Sequence, residues 1–268
     1  MWVNERRKVA KHAKAVVEAE APPVEKKKGE TKAEFIQSMA LVLAVGLFII
    51  TFCLQAFEIP SSSMENTLLI GDHVFVDRDT MGPKTRWMPL IPYHQVRHQD
   101  IVVFLSPAEP GLYVVKRIIG QPGDRIHLKD GQVYRNGEKL NEPYVIHNGS
   151  YRPYRDNFPA ISPSDLDQLT PEWHLTLNNH IVNGELVVPA DRFFAMGDNR
   201  DVSYDSRYWG FIPRENIIGR PMFIYWSFET PPGQYLKTSM TDRIAFMAKV
   251  VLRFFDLTRW NRMLKLVR

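Results

Sequence analysis

The sequence predicts a mainly β protein: an antiparallel β domain with a small inserted subdomain, one membrane-spanning helix before it and an amphipathic helix after it. Short runs of β-branched and aromatic residues recur from Ile59 to about Phe228, typical of strands. An uncharged apolar run precedes them. Helical spacing returns at the end of the chain, so helices are expected only at the two ends.

The expected membrane span is Phe35 to Phe57, 23 residues without a charge between Glu34 and Glu58. A helix of that length measures about 35 Å and could cross the hydrocarbon core of a bilayer. The run is apolar on every face, which disfavours a buried helix of a soluble protein. It is also longer than the apolar part of a cleaved signal peptide and begins late.

Charge predicts the direction of this span. A lysine cluster precedes it, and no Lys or Arg follows until Arg78. The N-terminus is therefore expected in the cytoplasm, with the rest exported to the periplasmic side of a bacterial inner membrane. The net charge of +4 is concentrated at the two ends of the chain. Basic ends suit lipid headgroups better than a nucleic acid, so no nucleic-acid partner is expected.

The strand pattern divides the remainder. The expected strands are His73–Val76, Ile101–Leu105, Tyr113–Ile119, Arg125–Leu128, Gln132–Tyr134, Glu185–Val188, Arg192–Ala195 and Pro221–Phe228. Asp130-Gly131 and Asn136-Gly137 separate such runs and favour two successive tight hairpins.

Four regions are expected along the chain. They are a basic cytoplasmic extension (1–34), the span (35–57), an exported β-rich domain (58–230) with a polar insertion or subdomain at about 141–183, and a basic tail (231–268). From Asp242 to Arg268 the tail has the spacing of an amphipathic helix. Such a helix could lie in the membrane interface or pack on the protein's own core, and both interpretations stay open.

Three polar segments carry candidate chemistry. The first is Ile59-Pro60-Ser61-Ser62-Ser63-Met64, directly after the span. The second runs from Tyr113 to Asp124, where Lys116 interrupts an apolar strand. The third runs from Gly197 to Gly210 and is dense in hydrogen-bonding groups. Taken singly, the first segment is also compatible with a linker, the second with a solvent-facing lysine and the third with a solvated loop.

Together, in this order behind one span, the segments resemble the bacterial type I signal peptidase family, a group of Ser-Lys serine proteases. The first resembles its Ser-x-Ser-Met motif, the second its Lys-Arg and Gly-x-Pro-Gly-Asp motifs, and the third its Gly-Asp-Asn-Arg-Asp-x-Ser-x-Asp-Ser-Arg motif. Two positions depart from the pattern: Ser62 replaces a frequent Gly, and Asn66 replaces a frequent Pro.

The resemblance implies an endopeptidase that removes signal peptides from exported pre-proteins through an acyl-enzyme. Ser63 would be the nucleophile and Lys116 the general base. The Ser61 hydroxyl and the Ser63 backbone N–H would form the oxyanion hole. Ser203 would hydrogen-bond the lysine amine, while Asp205 and Arg207 would support the site as an ion pair. Arg117 and Asp198 look structural.

The resemblance also implies shallow apolar subsites that accept small residues, giving Ala-x-Ala specificity. The residues expected to line them are Phe57, Ile59, Met64, Leu68, Val74 and Val115. The expected partners are signal peptides and membrane lipid, with the protein monomeric. No metal or other cofactor is expected.

Three other functions compete with this interpretation. A Ser-His-Asp hydrolase lacks support because there is no Gly-x-Ser-x-Gly motif. A zinc site at His94 and His98 lacks the glutamate of His-Glu-x-x-His. The third alternative is a membrane-anchored β domain that binds or scaffolds partners without catalysis.

Overall fold

The structure is a computed structural model that describes residues 31–48, 54–78, 80–81, 94–160, 167–231 and 239–268. The N-terminal unit contributes one described helix, α1 (Lys32–Phe48). None of the helices in the described part of the chain combines the length and the apolar character needed to cross a membrane. Positions 49–53 of the expected span lie outside the described residues.

The second unit contains twelve described strands. They are β1 (Leu54–Glu58), β2 (Asp72–Asp77), β3 (Ile101–Leu105), β4 (Tyr113–Gly120), β5 (Arg125–Lys129), β6 (Gln132–Arg135), β7 (Glu138–Lys139), β8 (Ile181–Val182), β9 (Glu185–Val187), β10 (Arg192–Met196), β11 (Ile212–Pro213) and β12 (Ile217–Ser227). The paired strands are all antiparallel, so the predicted fold class is confirmed at this level.

Strand β1 corrects one end of the predicted span. Leu54 to Phe57 belong to this strand, in which Leu54 pairs with Asp77 and Phe57 with Val74 of β2. The helix predicted to reach Phe57 is therefore wrong over these four residues. An uncharged sequence does not mark where a helix ends, because its apolar side chains fit a strand as well. The pairing with β2 decides this point.

The larger sheet has the order β1-β2-β12-β3-β4-β10-β11. In a flat sheet β1 and β4 would lie about 19 Å apart, at about 4.8 Å for each of four steps. Instead the rings of Phe57 on β1 and Tyr113 on β4 are 5.3 Å apart. The sheet therefore curls and brings the segments that follow β1 and begin β4 together.

The smaller sheet has the order β7-β6-β5-β9-β8 and contains both predicted hairpins. Asp130-Gly131 joins β5 to β6, and Asn136-Gly137 joins β6 to β7. All four residues have positive φ, as tight hairpin turns of this kind require. Both hairpin predictions are confirmed.

The expected insertion at 141–183 contains the short helices α2 (Pro153–Asp156) and α3 (Pro171–Thr176) and ends in β8. Its apolar side chains share a core with the smaller sheet: Tyr154, Phe158, Leu169, Trp173 and Leu177. The expected insertion is therefore only part of a larger structural element that begins at β5 and ends at β9.

The tail differs from the predicted continuous helix. The third segment contains the short helix α4 (Ser206–Trp209). The tail forms two further helices, α5 (Met240–Leu252) and α6 (Phe254–Leu257). From Thr258 onward it runs beside β12 apart from one 3-10 turn at Trp260–Arg262. One face of α5 packs on the domain, where Val250 is buried and the ring of Phe246 lies 5.9 Å from that of Phe228. The other face is exposed.

Candidate active site

Ser63 lies in a short turn directly after β1. The extended backbone of Ser61 leads into a 3-10 turn, Ser62–Met64, in which the side chain of Ser63 is buried. The backbone N–H of Leu68 then donates to the carbonyl of Met64, at 2.8 Å, and continues the turn. The nucleophile candidate is thus held by a short helical segment.

Lys116 lies in β4, paired with Val102 of the neighbouring strand. Its side chain is only 3% exposed. Alternation along a strand is also compatible with a lysine that faces solvent, and the structure excludes that orientation. Its Nζ donates to Ser63 Oγ at 2.6 Å. The structure therefore places these two predicted residues within hydrogen-bond distance in a buried setting.

Burial lowers the pKa of the Lys116 amine to about 8. Three buried charges modify this effect: Asp205 and Asp198 raise the pKa, and Arg207 lowers it. Desolvation is the largest cause, since a charged ammonium is disfavoured in a dry environment. An amine with this pKa is partly neutral near pH 8 and can accept a proton there.

Ser61 lies beside the nucleophile candidate. Its Oγ is 3.3 Å from Ser63 Oγ, and its side chain is exposed. The arrangement suits a hydroxyl that donates to an oxyanion near Ser63. It also distinguishes the three consecutive serines, because Ser63 is the one that accepts the hydrogen bond from Lys116.

The third segment contains a fully buried ion pair. Asp205 and Arg207 are bonded by Nε to Oδ1 and Nη2 to Oδ2, each at 2.8 Å. Burial raises the pKa of Asp205, but the Arg207 guanidinium, the Gly197 N–H and the Lys116 amine together hold that pKa below its usual value. Asp205 also accepts from the Gly197 N–H at 3.0 Å, and Arg207 donates to the Arg200 carbonyl. The pair fixes the shape of the loop that faces Lys116.

Ser203 differs from its predicted role. Its side chain is buried, but its Oγ has no hydrogen-bond partner among the described residues. The expected bond to the Lys116 amine is therefore not formed here. Lys116 Nζ is instead directed at Ser63. A sequence motif specifies which residue occupies a position, whereas the rotamer depends on the surrounding packing.

Gly197 explains how closely the third segment approaches the nucleophile. A Cβ at this position would clash with Ser203 Oγ and would lie 2.5 Å from the Ser63 carbonyl oxygen. The Asn199 N–H donates to the same Ser63 carbonyl at 3.1 Å. A side chain at 197 would push the two segments apart, so glycine is required here.

Arg117 and Asp198 form a second buried pair with two bonds of 2.8 Å. Thr67 joins this pair, because its hydroxyl donates to Asp198 and accepts from Arg117. The Arg117 guanidinium also lies 3.8 Å from the centre of the Tyr144 ring. This cluster ties the segment after Ser63 to the second and third segments, in line with the structural role expected for Arg117 and Asp198.

Asn66, one of the two departures from the motif, has φ of +89°, and its side chain donates to the Tyr144 carbonyl at 3.0 Å. Proline is restricted to φ near −65° and could not adopt this conformation. Asparagine tolerates positive φ better than most residues. In this chain the departure therefore fits the local backbone.

A cleft of about 630 Å³ opens at Ser63 and Lys116. Four of the six residues expected to line subsites do line it: Phe57, Ile59, Met64 and Val115. The open cleft next to a buried Ser-Lys pair can accommodate an extended peptide against the nucleophile.

Comparison with known proteins decides the family. The model of the family described as "Signal peptidase, peptidase S26" matches residues 32–226. The chain belongs to this signal peptidase family. Three curated relatives, each a signal peptidase I, match over most of their length. The protein of Leptolyngbya laminosa is 33% identical over 81% of this chain and 95% of its own. The protein of Aquifex aeolicus is 31% identical over 75% of this chain and 86% of its own length. The protein of Pseudomonas fluorescens is 29% identical over 86% of this chain and 86% of its own length.

The structure corrects two of the subsite residues expected for a signal peptidase. Leu68 and Val74 are completely buried and do not line the cleft. They pack in the core behind it, together with Met64, Val76 and Val103. An apolar residue near a motif in sequence can lie either at the surface of a cleft or one layer below it. Only the packing distinguishes the two.

The cleft of this signal peptidase also contains residues that were not predicted from the sequence. Leu112 directly precedes β4 and Tyr113 begins it, Ile70 follows the nucleophile turn, and Tyr204 comes from the third segment. Leu112 and Tyr113 are each more than 40% exposed. The signal available in the sequence was the adjacency of Leu112, Tyr113 and Tyr204 to the second and third motifs.

Proposed function

We propose that this protein removes signal peptides from exported pre-proteins, with Ser63 as nucleophile and Lys116 as general base. One observation carries the assignment of these two residues: a buried amine lies 2.6 Å from a buried hydroxyl. Family membership supports the reaction, because the curated relatives are signal peptidases.

The proposed reaction has two stages. First, neutral Lys116 takes the proton of the Ser63 hydroxyl while Oγ attacks the scissile carbonyl carbon. The resulting oxyanion accepts hydrogen bonds from the Ser63 N–H and the Ser61 hydroxyl. The C–N bond then breaks, and Lys116 returns the proton to the departing amine. The signal peptide remains as an ester on Ser63.

In the second stage, water hydrolyses the ester. Lys116, again neutral, takes a proton from a water molecule as the water oxygen attacks the ester carbonyl. The bond to Ser63 Oγ breaks and Oγ regains its proton from Lys116. Proton transfer of this kind contributes about 10²–10⁴ in rate.

We propose Ala-x-Ala specificity from the character of the cleft. The side chains of Phe57, Ile59, Met64 and Val115 give it an apolar wall beside Ser63. A shallow apolar subsite rejects a large side chain more strongly than it rewards a small one. Small residues one and three positions before the cut are therefore expected to be preferred.

The membrane is the proposed location. The uncharged run that begins at Phe35 would anchor the chain, with residues 1–34 in the cytoplasm and the domain at 58–230 on the exported side of a bacterial inner membrane. In the described part of the run, α1 carries apolar side chains on all sides, and they are mostly exposed.

The outer face of α5 is proposed as a contact with anionic lipid. Its exposed apolar side chains are spaced as one helical stripe: Met240, Ile244, Met247 and Val251. Lys249 and Arg253 are exposed at the C-terminal end of the helix. An apolar stripe flanked by basic residues is typical of helices that lie in a membrane interface.

The proposed activity can be tested on the full chain in detergent, as a monomer. A pre-protein with an Ala-x-Ala site should be cleaved by the wild type and not by the Ser63→Ala variant. Cleavage that survives both Ser63→Ala and Lys116→Arg would reject the assignment of these two residues, whereas no cleavage by the folded wild type would favour the alternative of a non-catalytic scaffold.

The lipid contact needs a separate measurement. The domain should bind vesicles that contain anionic lipid more strongly than zwitterionic vesicles, and Met247→Asp should weaken that binding. Equal binding to both vesicle types, unchanged in the variant, would reject this part of the proposal.

A further inference from the structure

The last eleven residues form an additional edge on the larger sheet. Strand β12 pairs with β3 only through Ile217 and Gly219, which leaves its later part without β3 on that side. The end of the chain occupies this edge. Ile224 exchanges backbone hydrogen bonds with Leu264 and Lys265, at 2.7 and 3.0 Å, and the Val267 N–H donates to the Met222 carbonyl. The tail is therefore part of the folded domain.

Arg262 is the buried centre of this tail. Its guanidinium bonds both carboxylate oxygens of Asp72, with Nε at 3.1 Å from Oδ1 and Nη2 at 2.5 Å from Oδ2. Asp72 is fully buried and also accepts from the Ser227 hydroxyl and the Leu69 N–H. The carboxylate of Asp72 thus receives bonds from the tail, from β12 and from the segment after the nucleophile.

The same guanidinium reaches the nucleophile segment directly. Arg262 Nη2 donates to the carbonyl oxygen of Thr67 at 3.0 Å. Thr67 is bonded to the Met64 carbonyl through its N–H and to Asp198 through its hydroxyl. Thr67, which is bonded to the end of the Ser62–Met64 turn, is therefore held from two sides, by Arg117 with Asp198 on one and by Arg262 on the other.

Arg259 adds a third contact from the tail. Its Nη1 donates to the Ile70 carbonyl at 2.9 Å and lies 3.3 Å from the Ser227 hydroxyl. Asp72, two residues further on, closes the segment onto its own start. Its carbonyl accepts from the Ile59 N–H at 2.9 Å, and the Gly71 N–H donates to the Ile59 carbonyl at 3.0 Å. Residues 59–72 thus form a closed loop in which the Thr67 and Ile70 carbonyls accept hydrogen bonds from the two tail arginines.

We propose that Arg262 is a positioning residue for the reaction: by bonding Asp72 and the Thr67 carbonyl, it holds the 59–72 loop so that Ser63 Oγ stays within reach of Lys116 Nζ. The proposal rests on the assignment of Ser63 and Lys116 as the reacting pair. It gives the C-terminal tail a role in catalysis through the loop that carries Ser63.

The physical reason lies in what remains when the guanidinium is removed. The buried Asp72 carboxyl would lose its bidentate partner and retain only Arg259, at 4.0 Å, as an ion-pair partner among the described residues, and the Thr67 carbonyl would lose a donor. The loop can relieve both by moving toward water. Such a movement would lengthen the distance between Ser63 and Lys116 and admit water to the amine. Displacements of about 1 Å in an active site can reduce the rate about a hundredfold.

The test compares Arg262→Gln, Arg262→Lys and Lys265→Gln in the full-length protein, with a pre-protein substrate. Lys265 is an exposed cation of the same tail, so Lys265→Gln controls for the loss of charge. Arg262→Gln is expected to reduce kcat by about tenfold or more with KM changed less, and Lys265→Gln to leave both unchanged. Arg262→Lys keeps the charge without the bidentate geometry and should recover part of the loss.

The pH profile separates positioning from stability. The charged groups that influence the Lys116 amine are Asp205, Arg207 and Asp198, and none of them is altered in these variants. Water admitted to a loosened site would move the acid limb of the kcat profile of Arg262→Gln to higher pH. A merely structural role would reduce the folded fraction and leave the limb in place. An unmoved limb with kcat lost only in proportion to unfolded protein would overturn the proposal.

If Arg262→Gln does not fold, the double variant Arg262→Met/Asp72→Asn decides, because it removes the charge and its partner together. Low kcat with a displaced acid limb in the folded double variant supports the proposal. Wild-type kcat and pH profile in that variant would overturn it. Wild-type cleavage and an inactive Ser63→Ala in the same assay show separately that the proposed function holds.

Discussion

The Nζ atom of Lys116 lies 2.6 Å from the Oγ atom of Ser63, although the two residues are 53 positions apart in the chain. Ser63 follows β1 and Lys116 lies in β4, and three strands separate β1 from β4 in the order of the sheet. The curl of the sheet brings them together, as the contact between the rings of Phe57 and Tyr113 also indicates. This proximity is the basis of the following predictions.

Removal of the Ser63 hydroxyl is expected to abolish cleavage. Ser63→Ala should lower kcat/KM by about 10⁴ or more, since the nucleophile cannot be replaced by its neighbours. Ser62→Gly, which introduces the residue frequent in the family, is the matched variant and should retain activity. Initial rates on a pre-protein measure both. If Ser63→Ala were active and Ser62→Gly were inactive, the nucleophile would be Ser62 instead.

The pH dependence should follow the Lys116 amine. With a pKa lowered to about 8, the amine is protonated below this pH, and kcat/KM should fall about tenfold for each pH unit further down. Lys116→Arg should be inactive at every pH, because a guanidinium does not lose its proton. An unchanged rate between pH 8 and pH 6 would show that the reaction does not require this amine to be neutral.

Burial of Lys116 should reduce the stability of the protein at neutral pH. Its pKa is about 8 in the folded protein, against an ordinary value of 10.5, so the unfolded chain binds the proton more tightly. The penalty is complete below pH 8, decreases as the pH rises to about 10.5 and is absent above it. Lys116→Met should therefore raise the free energy of unfolding by about 3 kcal/mol at pH 7.

Urea unfolding of Lys116→Met and wild type at several pH values measures this difference. The gain of the variant should shrink between about pH 8 and pH 10.5. A difference that is constant across this range would mean that Lys116 titrates alike in the folded and unfolded chains.

Leu68 and Val74, which are buried behind the cleft, should affect stability rather than substrate specificity. Leu68→Ala should cost about 2–5 kcal/mol of unfolding free energy and leave the preference for small residues unchanged. Val115→Leu, on the cleft wall, should instead alter which side chains are accepted before the cut. Cleavage of a set of substrates that differ in the residues one and three positions before the cut measures the preference in each variant. A changed preference in Leu68→Ala with normal stability would return Leu68 to the subsite.

Loss of the Asp205 charge should act in two ways. Asp205→Asn leaves Arg207 buried without its partner, which should cost about 3–5 kcal/mol of stability. Asp205 also raises the pKa of Lys116, so its neutralisation should move the acid limb of the activity profile to lower pH. A limb displaced to higher pH would contradict the electrostatic assignment. Denaturant unfolding and pH–rate profiles provide the two measurements.

Local patterns explain why much of the fold could be predicted. The hairpin turns at 130–131 and 136–137 depend on residues that tolerate positive φ, and the strands depend on runs of β-branched and aromatic side chains. The end of the apolar run was misplaced because Leu54 to Phe57 suit either structure until they pair with β2. The tail was predicted as helix up to Arg268 because helical spacing of apolar residues does not reveal the open edge of β12 that its last residues occupy.

The sequence by itself determined the antiparallel β class and the three motifs, because hydrophobic periodicity, turn residues and residue spacing are properties of the linear chain. Only the tertiary structure decided that the Ser63 hydroxyl lies 2.6 Å from the Lys116 amine in a buried setting, that Leu68 and Val74 lie beneath the cleft, that Ser203 is not bonded to Lys116, and that Arg262 reaches the nucleophile loop. These outcomes depend on contacts between residues far apart in sequence and on the exclusion of water by packing. No local pattern encodes them.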